Sequence, residues 1–267
     1  MIELSTSIAI KLREIRARKP LIHNITNFVV MNSTANVLLA LGASPVMAHA
    51  VDEVEEMVSY AGALVLNIGT LERPWIEAMI LSARKATTLK TPIVLDPVGA
   101  GATRLRTETC GRILTEAKVS VVRGNASEIL ALGAGLGGGK GVDATHGVDE
   151  AEGVARELAR RLKTVIAITG PVDLVTDGER ILRLAGGHPL MAMVTGTGCA
   201  ATAVIGAYLA VEPDPFLAAA CGLSLFKSCG ERAAVGASGP GSFAVRLVDA
   251  LYTLAPEEAA ASCRLLS

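Results

Sequence analysis

Residues 195–199 read Thr-Gly-Thr-Gly-Cys and lead directly into an uncharged apolar run that extends to residue 211. Glycines free the backbone to turn and let a ligand approach it closely. A helix beginning there directs successive unpaired N–H groups at one point, which favours a phosphate or the charge that develops during phosphoryl transfer. Cys199 stands at the junction. A thiol at a helix start is a candidate for a lowered pKa and for nucleophilic or proton-accepting chemistry, or it simply fills space.

Two acids stand at comparable junctions. Asp96 ends the run TPIVLD and is followed by PVGAGAT; Glu128 closes RGNASE after KVSVV. An acidic pair at two strand ends suits a hard, oxygen-seeking cation such as Mg²⁺ and the phosphates it accompanies. Each has a plain alternative role. Asp96 is also a turn or cap former, and Glu128 is placed to close a capping box with Asn125 three residues earlier.

These residues need a frame that brings strand ends together. Short apolar runs recur as PLIH, ASPVMA, GALVLNIG, TPIVLDPVG, KVSVVRGN and KTVIAITG. Between them lie VDEVEEMVSYA, LERPWIEAMILSARKATTLK, RTETCGRILTEA and VDEAEGVARELARRLK, which carry helical spacing and charge. The alternation predicts βαβ units and a mostly parallel sheet covered by helices on both faces. In such sheets ligands gather beyond the carboxyl ends of the strands, where NIGT, DPVGAGAT, RGNASE and TGPVD all fall. After residue 170 the pattern changes. PVDLVTDGERILRLAGG reads as two strands joined at Asp177-Gly178, and only helices are expected after it, over 198–211, about 214–233 and about 241–254. No linker divides the chain, so one domain over 1–267 is expected.

Composition narrows the functions. Of 267 residues, 51% are hydrophobic and only 3% aromatic, so the core is aliphatic; the net charge of −1 offers no basic surface for nucleic acid or an anionic membrane. The uncharged segment 192–211 is long enough to graze a membrane span, but its Gly-containing break leaves about 13 residues of helix, the length of a core helix. Five cysteines, an odd number, with no CxxC and no leader-like N-terminus point to a reducing cytoplasm rather than a disulfide framework. The four histidines show no metal-ligand spacing, although His23 abuts a candidate loop. LGAGLGGGKGVDATHG is not a P-loop. Ala134 occupies the required first glycine position, Gly141 follows Lys140 where Ser or Thr is needed, and the preceding segment reads as helix.

GTGC before a long small-residue helix resembles the anion-hole motif of ribokinase-like kinases, usually GAGD or GTGD, in which the Asp is the base. Within that superfamily the hydroxyethylthiazole kinases of thiamine salvage commonly carry Cys at this position. This chain is similar to them also in ITNFVVMNSTANVLLALGASPVMAHA, ALVLNIGTL, LDPVGAGATRLRTE, RGNASEI, KGVDA, VIAITGPVD and GPGSF, from about residue 20 to 245. The resemblance implies a three-layer α/β sandwich and transfer of a phosphoryl group from ATP, with Mg²⁺, to 4-methyl-5-(2-hydroxyethyl)thiazole. It implies that Asn27, Met47, Gly69 and Gly196 surround the thiazole alcohol. Arg123, Thr169 and Asn125 lie on the nucleotide side, and Asp96 and Glu128 around the metal. Gly196, Gly198 and Cys199 form the anion hole and base position. It further implies a cytoplasmic homotrimer with sites between subunits. Pro171 departs from the family's more usual residue after AITG. The alternatives are a sister kinase such as a hydroxymethylpyrimidine kinase, a cysteine hydrolase built on Cys199, and a non-catalytic binding protein.

Overall fold

The described residues build one nine-stranded sheet. The computed structural model describes residues 2–136 and 148–266. The glycine-rich loop and KGVDA motif, with His146, lie largely outside them. The strands are β1 (Leu21–Ile25), β2 (Ser44–Val46), β3 (Ala63–Asn67), β4 (Ile93–Asp96), β5 (Val121–Gly124), β6 (Val165–Ile168), β7 (Asp173–Thr176), β8 (Ile181–Leu184) and β9 (Leu265–Leu266). Their spatial order is β2-β1-β3-β4-β5-β6-β7-β8-β9. Pairings from β2 through β6 are parallel, and the last three are antiparallel.

Consecutive strand residues serve opposite faces. Val65, Val94, Val121 and Ala167 join one buried cluster, while Leu64, Leu66, Ile93, Leu95, Val122 and Ile166 join the other. That is why these strands read as unbroken apolar runs. Helices α1 (Ile2–Arg18), α2 (Met31–Leu41), α8 (Thr197–Leu209), α9 (Pro215–Ala234) and α10 (Pro240–Thr253) supply the first layer. Helices α3 (Val54–Tyr60), α4 (Arg73–Leu89), α5 (Arg104–Glu116), α6 (Ala126–Gly135) and α7 (Val148–Leu162) supply the second. A short α11 (Pro256–Ala261) follows α10.

Helix α8 carries no charge because it is sealed between sheet and α9. A Cβ on its Gly206 would stand 2.7 Å from Val65 Cγ2, and one on Gly222 of α9 would stand 3.1 Å from Ile205 Cα. Small residues here set how closely the layers approach. Among the described residues no helix is long and apolar enough to cross a membrane.

The expected hairpin forms, with Gly178 at φ +99° and Asp177 Oδ1 accepting from the N–H groups of Glu179 and Arg180. The expectation of helices only beyond it fails. Leu265 and Leu266 pair with Leu184 and Arg183 and close the sheet as β9. A two-residue strand has too little pattern to announce itself. Helix α2 also goes unannounced, since its first turn is Met-Asn-Ser-Thr and no side chain caps it.

Candidate active site

The sheet delivers its polar residues at the carboxyl ends of β1, β3, β4, β5 and β6. Asp96 is the hub. It is fully buried, at 0% exposure. Its Oδ2 accepts from Asn67 Nδ2 at 2.8 Å and from Thr202 Oγ1 at 2.9 Å, and its Oδ1 faces Arg123 Nη1 at 3.5 Å. Burial pushes its carboxyl up to about 6; Arg123 pulls it down, Glu128 pushes it further up, and the Thr202 and Asn67 hydrogen bonds pull it down. Asp96 does not cap the following helix, because Thr103 does so instead.

From Asp96 a polar chain runs in two directions. On one side Asn67 Oδ1 accepts from Asn27 Nδ2 at 2.8 Å and from Gly69 N at 3.0 Å, and Asn27 Nδ2 also reaches Cys199 Sγ at 3.6 Å. Gly69 has to be glycine, since a Cβ there would stand 2.6 Å from Asn27 Nδ2. On the other side Arg123 donates from Nη2 to Thr169 Oγ1. Residues at or just beyond the ends of β1, β3, β4, β5 and β6, together with the first turns of α8, thereby form one connected cluster.

The start of α8 completes it. Gly196 precedes the helix at φ +85°, and a Cβ on it would meet Val30 Cγ1 at 2.6 Å. Thr197 Oγ1 donates to the Met191 and Val194 carbonyls, fixing the entering turn. No side chain caps the helix, so the N–H groups of its first turn remain available to an anion. Arg123 lies under this turn: a Cβ on Gly198 would stand 2.7 Å from Nη1 and 2.8 Å from Nη2.

Cys199 corrects one expectation. Burial and the nearby Asp96 push its thiol up to about 11, although Arg123 and the Asn27 and Asn67 side chains pull it down. The net shift is upward, opposite to the lowering expected from a helix start. At neutral pH the sulfur keeps its proton, so it is neither a thiolate nucleophile nor a strong base. Among the described residues His23, His49 and His188 bond to other groups, and none of them is bonded to Cys199 as a hydrolase base.

Glu128 and Asn125 are committed to holding loops. Glu128 Oε1 accepts from Gly99 N at 2.9 Å and Oε2 from Asn125 N at 2.8 Å, while Asn125 Oδ1 accepts from Glu128 N and Ser127 Oγ. The capping box is present. It also ties the loop after β4 to the loop after β5. Each Glu128 oxygen keeps a further acceptor site. Asp96 and Glu128 are hard oxygen donors, and Glu128 lies close enough to raise the pKa of Asp96, so the pair fits Mg²⁺ held by one or two carboxylates plus phosphate and water. No cluster of three metal-ligating side chains exists among the described residues.

Met47 lies apart from the polar chain, half-buried just past β2. A set of aromatic contacts connects its loop to Asn27. Trp75 Nε1 donates to the Thr26 carbonyl at 2.9 Å, its ring stacks on His49 at 3.9 Å, and Phe28 packs on it at 4.7 Å. His23 sits beneath the same loop, with Nε2 at 2.7 Å from the Ala48 carbonyl.

Asn67, Thr202, Arg106 and Trp75 do not emerge from the sequence reasoning. Arg106 donates to the Val98 and Gly69 carbonyls at 2.6 and 2.7 Å, clamping two site loops. Asn67 and Thr202 had a readable signal: each is a polar residue inside an otherwise apolar buried run.

A mostly parallel sheet with an acid at the end of a central strand, facing the open start of a small-residue helix, defines a ribokinase-like α/β protein. Solved structures agree. The chain matches a ribokinase-like superfamily protein from Enterococcus faecalis with TM-score 0.64 at 14% identity, covering 86% of each chain. It matches the ADP complex of Bacillus subtilis pyridoxal kinase with TM-score 0.60 at 16% identity, covering 80% and 92%. At those identities the likeness is one of fold. The Hydroxyethylthiazole kinase family model matches residues 12–257. The hydroxyethylthiazole kinase of Desulfotalea psychrophila is 58% identical over 99% of this chain and 97% of its own. The structure of the Pyrococcus horikoshii hydroxyethylthiazole kinase is 48% identical, covers 92% and 93%, and superposes with TM-score 0.87. The chain belongs to the hydroxyethylthiazole kinase family.

Proposed function

We propose that this protein acts as a single kinase domain and transfers the terminal phosphoryl group of ATP to the hydroxyl of 4-methyl-5-(2-hydroxyethyl)thiazole. The observation that carries the reading is the buried Asp96 carboxylate facing Arg123 and the uncapped start of α8. Phosphoryl transfer needs positioning and charge stabilisation more than covalent help, and these groups supply both. The first-turn N–H groups of α8 and the Arg123 guanidinium stabilise charge on the transferring group. Asn27, Gly69 and the Trp75-supported loop carrying Met47 hold the alcohol beside Cys199. Arg123 and Thr169 face the nucleotide, whereas Asn125 acts there through the cap it provides.

Asp96 and Glu128 would hold Mg²⁺, which when bound neutralises charge on the β- and γ-phosphates. Cys199 occupies the position of the superfamily's base, but as a protonated thiol it is a positional group. A loose, late bond-making transition state asks little proton acceptance of it. The protein works in the cytoplasm as a homotrimer with sites between subunits, a reading supported by family membership and by exposed apolar residues such as Phe28 and Val29 beside Asn27. The deciding assay couples ADP release to a panel of thiamine-pathway alcohols. Turnover strictly dependent on the thiazole alcohol is expected. Equal turnover with the hydroxymethylpyrimidine alcohol, or none with any alcohol, refutes the assignment.

A further inference from the structure

One buried cation has no place in the cluster around Asp96. Lys227 of α9 has a side chain only 7% exposed. Its Nζ donates to the carbonyls of Gly170, Pro171 and Gly186, each at 3.1 Å, and lies 3.2 Å from Asp173 Oδ1. Four oxygens around one ammonium form the kind of shell that a small monovalent cation takes. A buried charge is costly unless paired and hydrogen-bonded, and here every donor is used.

The positions of those oxygens matter. Gly170 and Pro171 directly follow Thr169, whose hydroxyl accepts from Arg123. Pro171 has a fixed φ and no N–H, which narrows the backbone freedom of this turn. Asp173 Oδ1 also accepts from Gly170 N at 2.9 Å, which closes the turn on itself. Gly186 comes from the exit of β8, at φ +112°, followed by Gly187 at φ +82°. A Cβ on Gly187 would stand 3.5 Å from Lys227 Cγ and 3.2 Å from Met191 Sδ. From there the chain runs through a short 3₁₀ turn, Pro189–Met193, to the Met191 and Val194 carbonyls that fix Thr197. Lys227 therefore joins the loop behind Thr169 to the segment that sets the start of α8.

We propose that Lys227 is a positioning residue, a built-in monovalent cation that holds the 169–173 loop and the Gly186 turn in register so that nucleotide phosphates meet Arg123 and the start of α8 together. The proposal rests on the assignment of Thr169 to the nucleotide side. Lys227→Ala should raise the KM for ATP about tenfold or more, as expected for losing hydrogen bonds to a charged donor, and leave the KM for the thiazole alcohol within about twofold. Ammonium or methylammonium chloride should restore most of the ATP affinity, and sodium chloride at equal ionic strength should not. An unchanged KM for ATP, an equal rise in both KM values, or no preference for ammonium would overturn it. If Lys227→Ala does not fold, Asp173→Asn decides by the same split, and an unchanged KM for ATP refutes the idea. Thr169→Val separates the two layers. If it leaves the KM for ATP unaltered, the nucleotide assignment fails; if it raises that KM while Lys227→Ala does not, only the role of Lys227 fails.

Discussion

Replacing Asp96 by Asn should make the protein more stable and nearly inactive. The ordinary carboxyl value of 3.8 rises to about 6 in this site, with burial as the largest cause. Between those values the native state keeps a proton that the unfolded chain has released, so stability falls as pH rises and stays low above about 6. The gap corresponds to ~3 kcal/mol of native-state cost for the ionised carboxylate. Asn resembles the protonated acid. Asn67 and Thr202 still find an oxygen to donate to, while Arg123 loses its carboxylate just as it does when Asp96 is protonated. The difference in stability between Asp96→Asn and the native sequence should thus be near zero at pH 4 and grow to as much as ~3 kcal/mol by pH 7.5. For a chain of this size that is a rise in Tm of roughly 6–12 °C. Turnover at saturating Mg²⁺ should fall at least about a hundredfold, with affinity for the thiazole alcohol little altered. Thermal melts across pH and a coupled ADP-release assay measure both. A variant less stable at neutral pH, or a stability difference that does not vary with pH, would refute the electrostatic argument; unchanged turnover would remove Asp96 from the mechanism.

Gly198→Ala keeps α8 and favours its helix by up to about 1 kcal/mol, but the new methyl displaces the Arg123 guanidinium. Tm should hold or rise while turnover drops about tenfold or more, and equal turnover would separate Arg123 from the reaction. Cys199→Asp restores the superfamily's carboxylate and should keep or raise turnover. Cys199→Ser should retain measurable activity, whereas two dead variants and an adduct on Cys199 in mass spectrometry would establish a covalent mechanism. Sedimentation under assay conditions should show the trimer as the active species, and a fully active monomer would refute sites shared between subunits.

The sequence was most legible where one residue type has one physical use. Apolar runs of four or five residues could only be strands covered on both faces, and the register bears this out residue by residue, with Leu64 and Leu66 on one side and Val65 on the other. The strand ends that frame the site followed from the topology of parallel sheets. Residues with two uses were harder. Glu128 was readable equally as a metal ligand and as a capping partner, and the capping bonds to Gly99 and Asn125 exist; nothing in its spacing revealed that the cap also ties two site loops together. The groups that hold the site from behind were invisible. Lys227 sits in the middle of a helix, Arg106 in the first turn of another, and Trp75 resembles any core aromatic, because each of them donates to backbone carbonyls, and a carbonyl has no letter in the sequence.

The same limit explains the reading of Cys199. Sequence places a thiol at a helix start, and that position alone argues for a lowered pKa. The opposing terms come from three dimensions. Asp96 lies on a strand more than a hundred residues earlier in the chain, yet it is brought beside the same turn by Thr202, one turn further along α8. Burial and that neighbouring negative charge outweigh the pull of Asn67, Arg123 and Asn27, so the thiol stays protonated. A carboxylate replacing it would meet the same burial and the same Asp96. Cys199→Asp should therefore carry a raised pKa of its own, and its advantage in turnover should grow with pH across the neutral range. A Cys199→Asp profile parallel to that of the native enzyme would show that the residue at this position takes no proton from the alcohol, whichever side chain occupies it.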